Sequence, residues 1–320
     1  MPASPVDLGG TEDRAGSWHL REGAAKPLDR LRSPRLPWFR PMPGMTTTYY
    51  DSAESRRPLL TELGNFVAYR GLVRLLVTRD LTVRYKRSVL GIWWTVLRPL
   101  LTSAVMWLIF GQIFRFPMED PRIPYIVYLL SGVLFSTMFA QGVAAAGSAI
   151  VNSSAILTKL YVPAEVFALS SATAAVVNFF LSLIPLFIVQ LATGVGIPWT
   201  ALLVPIPGLA LLALITGIGL LVASAAVYFH DVLDLTDVFI QLITYAIPTF
   251  YPLSIVPERF RIVIYANPLY SYLEIFRGFV YEGRFAETGH FVMMFGSAAV
   301  SLVVGVWVFS RVWKKLVVML

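Results

Sequence analysis

Six stretches of this chain are too long and too apolar to be anything but helices that cross a bilayer: residues 89–116, 125–146, 164–191, 200–229, 235–253 and 291–312. A hydrocarbon core of about 30 Å asks for about 20 mainly apolar residues per helix, because inside lipid each backbone N–H and C=O must find its partner within the segment. Every stretch approaches or exceeds that length. Of the 320 residues only 14% are charged and 57% are hydrophobic, where a soluble domain carries about 25% charged residues. The sequence therefore predicts an all-α integral membrane protein with six transmembrane helices. Residues 1–58 are read as a flexible cytoplasmic tail and 59–320 as the membrane domain.

The tail holds Pro34, Pro37, Pro41 and Pro43 and lacks the apolar core of a signal peptide. Basic residues set the expected orientation. Residues 1–98 contain 16 of the 26 Lys and Arg. With the N-terminus inside, twenty of the 26 fall on the inner side, and Arg115, Arg122, Arg259, Arg261, Arg277 and Arg284 on the outer. Glu119, Asp120, Glu258, Glu274, Glu282 and Glu287 accompany the outer arginines. The positive-inside rule then puts both termini in the cytoplasm, in a plasma (inner) membrane.

Shorter segments organise the remainder. Residues 60–88 carry Phe66, Tyr69, Val73, Leu76 and Val77 at helical spacing, flanked by Arg70 and Arg74. That pattern predicts an amphipathic helix lying on the inner leaflet. Residues 152–162 read as a short cytoplasmic helix capped by Ser153 or Ser154, or as a tight turn. Gly217, Gly219 and Ala223 allow close helix approach, within the chain or between two copies. Residues 255–287 are broken at Asn267-Pro268 into pieces too short to cross, which predicts a re-entrant helical hairpin on the outer side. Glu274 and Arg277 stand three residues apart and are expected to pair.

The chemistry is that of a conduit. No G-x-x-x-x-G-K-[ST] or H-E-x-x-H string occurs, there are no cysteines, and the three histidines form no cluster. Catalytic and metal residues are accordingly read as none. Acidic residues avoid the middles of the spans, which disfavours ion-coupled transport. Arg79, Arg84, Lys86, Arg87 and Arg98 gather before and just inside the first span. They serve as inner-side anchors or as a fork for a lipid pyrophosphate. Aromatic residues are dense from the outer half of the fifth span onward. Tyr245, Phe250, Tyr251 and Tyr270 are candidate walls of a glycan channel.

Three strings carry a resemblance: RDLTVRYKRSVLGIWW at 79–94, ILTKLYVPAEV at 156–166, and YPLSIVPERF followed by NPLY within 251–270. Over residues 78–312 the chain resembles the membrane permease of type-2 ABC exporters, the branch that exports O-antigen, teichoic acid and related polysaccharides. His230-Asp231 stands where that family usually has Arg-Asp. The resemblance implies a homodimer in membrane lipid, working with two copies of a cytoplasmic ATPase that binds ATP and Mg. No cofactor is then held by this chain, and no nucleic acid is a partner. It implies a coupling helix at 152–162, with Asn152, Ser153, Ser154, Leu157, Lys159 and Tyr161 as ATPase contacts. It implies a polyprenyl-pyrophosphate-linked glycan as substrate. The Pro/Arg-rich tail also looks like the galactan exporter permeases of mycobacteria. The alternatives are a type-2 exporter of a drug or lipid, and a membrane enzyme acting on polyprenyl-linked sugars.

Overall fold

The computed structural model describes residues 69–85, 91, 93–116, 118, 120–157, 162–229 and 231–319; the side chains of 84, 85 and 314–319 lie outside that description. Every regular element among the described residues is helical. Helix α1 (Arg70–Tyr85) precedes α2 (Trp93–Met106), which runs on as a π-helical stretch, Trp107–Ile113. Then come α3 (Tyr125–Asn152), the single turn α4 (Ser154–Leu157) and α5 (Glu165–Ala192). A 3-10 turn, Trp199–Leu203, leads into α6 (Pro205–Ala226), and α7 (Asp231–Tyr245) follows. After a second 3-10 turn, Leu253–Ile255, come α8 (Glu258–Ala266), α9 (Pro268–Arg277) with a π-helical extension, Gly278–Glu282, and α10 (Thr288–Met319).

Among the described residues, five helical stretches are long and apolar enough to cross a membrane: Trp93–Ile113, Tyr125–Asn152, Glu165–Ala192, Trp199–Ala226 and Thr288–Trp313. The protein is thus a multi-pass all-α membrane protein. The span expected over 235–253 departs from this pattern. In its place α7 has 15 residues, about 22 Å of helix against a core of about 30 Å. It stops at Tyr245 because Pro248 and Pro252 cannot donate an N–H and push Ile247 and Tyr251 away from helical backbone. The chain runs through bends there, closed by the Thr249 N–H on the Ile247 carbonyl at 2.7 Å.

Helix α3 is the centre of the bundle and packs on α5, α6 and α7. Its Phe135 ring meets Phe276 of α9 at 6.2 Å, and Phe179 of α5 meets Phe276 at 5.3 Å. Helix α9 is sunk in the bundle, with Leu269 to Leu273 and Ile275 to Arg277 buried. Its start is built by Asn267, whose side-chain oxygen caps the Leu269 N–H at 3.1 Å while its amide donates to the Ile243 carbonyl at 3.0 Å. Pro268 then sits at the first helical position, where no N–H is needed.

Helix α1 occupies 70–85 of the expected 60–88; residues 60–68, Phe66 among them, and 86–88 lie outside the described residues. Leu76 is buried against Ala149, Val166 and Phe167, with Tyr69, Leu72 and Val73 packed around it, while Arg70 and Arg74 face outward. The apolar stripe therefore rests on the ends of α3 and α5.

The small residues of α6 serve packing within the chain. A Cβ on Gly217 would lie 2.2 Å from the Ser301 carbonyl oxygen of α10, and one on Gly305 would lie 2.3 Å from the Gly217 oxygen. Gly219 faces α3, where a Cβ would come within 2.4 Å of the Ala146 Cβ. Two helices in lipid hold each other through such backbone contact. Gly217→Ala should force α6 and α10 apart and destabilise the purified protein by at least about 1–3 kcal/mol, the usual cost of overpacking. Gly196→Ala, whose Cβ meets open space, should leave the thermal unfolding curve in detergent in place.

Candidate functional site

Two cavities of ligand size stand out among the described residues. The first, about 630 Å³, opens between α2, α3 and α5. Its polar wall is Thr95, Arg98, Thr137, Gln141, Asn178 and Ser182. Pro99, buried within α2, lines the same cavity. Its ring removes one helical N–H and crowds the Thr95 carbonyl, and the Thr95 hydroxyl reaches across to the Asn178 side-chain oxygen at 3.3 Å. The Arg98 side chain is exposed.

The five basic residues expected at this mouth do not all converge. Arg98 lines the cavity; Arg79 does not. Arg79 turns to Asp80 at 2.9 Å, and Asp80 also accepts from the Ser171 hydroxyl at 3.4 Å. The Arg84 side chain, Lys86 and Arg87 lie outside the described residues, as does His230. The expected coupling segment contains α4, whose first turn is closed by the Ile156 and Leu157 N–H groups on the Ser153 carbonyl at 2.9 and 3.1 Å. Asn152 is exposed, Ser153 buried, Ser154 half-buried, and Leu157 packs against the core. Lys159 and Tyr161 lie outside the described residues.

The second cavity, about 550 Å³, lies where the start of α3, the turn after α5 and α7's irregular sequel meet α9. Of the expected channel aromatics only Tyr270 lines it. Tyr270 is edge-on to Tyr265 at 5.6 Å and to His290 at 5.5 Å, and burial pushes its hydroxyl pKa well above the ordinary value. Tyr245 is exposed on α7. Phe250 and Tyr251 act through their backbone: the Tyr125 hydroxyl donates to the Phe250 carbonyl, and the Tyr128 hydroxyl is shared between the Pro248 and Tyr251 carbonyls at 2.7 and 2.8 Å.

Arg277 is the residue that sequence reasoning misplaced. It does not pair with Glu274. It is 3% exposed, lies 3.7 Å over the Tyr128 ring, and donates to the Pro248 carbonyl at 3.0 Å and the Tyr128 carbonyl at 3.3 Å. Its Nε reaches the Ser131 hydroxyl at 3.4 Å. Glu274 is held by Arg284 at 2.6 Å, and Arg284 also meets Glu282 at 2.6 Å. Burial pushes the Glu282 carboxyl up, and Arg284 opposes that push. At the rim, hydrogen bonds from the Arg122 side chain and backbone hold the Asp120 carboxyl below its ordinary range. The signal for Arg277 was available: its neighbours Ile275, Phe276 and Phe279 mark a helix buried on all sides, where a guanidinium must turn to backbone.

The fold is a helical, multi-pass bundle with one cavity between α2, α3 and α5 and another beside α9. The chain belongs to the ABC-2 type transporter family, whose pattern its residues 71–281 match. It is similar to the O-antigen export system permease protein RfbA of Myxococcus xanthus, 30% identical over 77% of this chain and 93% of that protein. It is also similar to the O-antigen export system permease protein RfbA of Klebsiella pneumoniae, 26% identical over 75% of this chain and 91% of that one.

Removing the Arg277 guanidinium should cost more than its solvent exposure suggests. Arg277→Leu leaves two carbonyls without charged donors and should lower stability by at least about 2 kcal/mol. Arg277→Lys should recover little of this, because an ammonium cannot fork to three acceptors. Arg259→Leu, a surface arginine stacked on Phe260 at 4.7 Å, should stay within about 0.5 kcal/mol. Thermal unfolding of the three purified variants compares them directly.

Proposed function

We propose that this chain is the membrane-spanning permease subunit of an ATP-driven exporter that moves a polyprenyl-pyrophosphate-linked polysaccharide out of the cytoplasm. The observation that carries the reading is its likeness, along nearly the whole length of the relatives, to permeases named for O-antigen export. O-antigen, teichoic acid and galactan are the polymers of this class, and the mycobacterial-type galactan exporter is the narrower form of the reading. ATP hydrolysis belongs to a separate subunit, present in two copies, with a second copy of this chain completing the conduit.

In this reading both termini face the cytoplasm. The lipid pyrophosphate docks at the mouth of the first cavity, where Arg98 offers a guanidinium beside hydroxyl and amide groups. Arg79, Arg84, Lys86 and Arg87 extend the basic approach. The ATPase pushes on α4 and its flanks, from Asn152 to Tyr161. The glycan passes toward the second cavity, with Tyr245, Phe250, Tyr251 and Tyr270 as its aromatic surroundings. α7 and its irregular sequel act as the sixth crossing, and α8 and α9 form a re-entrant hairpin. The burial of α9 and exposure of α8 support that arrangement.

Depletion of the protein should trap lipid-linked polymer inside the cell while polymer outside falls, followed by labelled sugar on each side of the membrane. An unchanged distribution would overturn the export reading. In the same assay Arg98→Gln should slow export roughly tenfold, the effect of losing one charge-assisted contact of about 1.4 kcal/mol, and Arg98→Lys should fall between. An exporter of a neutral drug would tolerate both.

A further inference from the structure

The second cavity is built to hold something polar, and its chemistry selects among ligands. Three guanidiniums, of Arg122, Arg277 and Arg284, and three carboxylates, of Asp120, Glu274 and Glu282, line one space of about 550 Å³. The charges balance, so neither a phosphate nor a metal cation gains from the whole set. Arg284 is committed to two carboxylates and Arg122 to a third. That leaves carboxylate lone pairs fixed in place with spare capacity to accept, and a buried guanidinium with five N–H groups facing three protein acceptors. The rings of Tyr270 and Tyr281, each 7% exposed, form part of the wall. The cavity falls in the range of ligand sites, about 300–1,000 Å³.

We infer that this cavity is a glycan-binding subsite, taking one or a few sugar residues by hydrogen bonds from their hydroxyls to fixed carboxylates and from guanidinium N–H groups to their oxygens. A polyol is the ligand that donates and accepts at every corner and carries no charge. Its C–H faces meet the aromatic wall, whose ring faces are electron-rich. The identity of the natural sugar rests on the export reading; the site itself does not. Carboxylates held by arginines are preorganised, so a sugar displaces water without having to order side chains first. The site would hold a chain in transit near one end of the conduit.

The absence of native cysteines makes a direct test possible. Gly196 lines the cavity and is exposed, and a Cβ there meets open space, as it does at Gly71 on α1. Purified full-length Gly196→Cys and Gly71→Cys proteins are labelled with a maleimide. The probes are soluble glycan released by mild acid from the cells' own lipid-linked pool, and inorganic phosphate. The glycan should slow labelling at Gly196→Cys at least fivefold and leave Gly71→Cys unchanged, and phosphate should do neither. Adding Glu274→Gln and Glu282→Gln should abolish protection while the Gly71→Cys rate and elution volume stay native. Asp120→Asn, at a half-buried position in the loop before α3, should weaken it severalfold in a protein that folds normally. No protection by glycan, equal protection at both positions, or protection by phosphate instead would overturn the inference. Protection lost while depletion still traps polymer inside removes the subsite and leaves export standing. Protection kept while depletion changes nothing does the reverse.

Discussion

A helix that breaks inside a membrane protein exposes carbonyls that lipid cannot satisfy, and the break after Tyr245 governs much of this structure. Pro248 and Pro252 end α7, and the bends that follow offer the carbonyls of Pro248, Phe250 and Tyr251. Two tyrosines one turn apart on α3 and one arginine on α9 answer them. Each unsatisfied carbonyl would cost several kcal/mol in hydrocarbon, so the break, the tyrosines and the arginine stand or fall together. The close approach they require also explains Gly132. A Cβ there would lie 2.9 Å from an Arg277 guanidinium nitrogen and 3.0 Å from the Thr249 carbonyl oxygen.

The same end of the bundle is shaped by the turn after α9. Gly283 takes a left-handed φ of 70°, which glycine adopts without strain, and the chain reverses so that the Arg284 N–H reaches the Gly278 carbonyl at 3.1 Å. The reversal returns the Arg284 side chain to Glu274, ten residues earlier. Glu274 is therefore withdrawn from Arg277, and Arg277 is free to serve the broken helix. One glycine conformation thus separates a buried cation that holds backbone from a surface cation that orders carboxylates.

Much of the fold was legible because apolar length is a strong signal in a membrane. Five of the six expected spans stand within six residues of their expected bounds, and the Asn267-Pro268 break is where α8 gives way to α9. The sixth shows where hydropathy runs out: it registers apolar residues through Pro248 and Pro252, whereas backbone geometry registers the prolines. The packing of Gly217 was open between neighbours within the chain and a second copy, since a small residue declares close approach and not the partner. Side-chain pairing was the least legible. Sequence spacing put Glu274 beside Arg277, but the carboxylate's partner is chosen by the Gly283 turn, which only the folded chain displays. Asp80 likewise follows Arg79 directly in sequence, yet its contact with Ser171 appears only once α1 is laid against α5.

Of the five long apolar helices, the one carrying Arg98 is the least buried. Within its apolar window α2 and its π-helical extension are 11% buried, against 72% for α3. α10 is also little buried, at 22%, but the Gly217 and Gly305 contact fixes it to α6. For α2 the internal attachments are few: Ser103 and Pro99 are its buried residues, and Thr95 binds Asn178 across the cavity. Regions with few buried contacts open at low free energy, and Pro99 supplies a place to bend. The chain thus concentrates tight packing in α3, α6 and α10 and polar fastening at the α9 end. The wall of the Arg98 cavity is left as the side that can move without breaking the core.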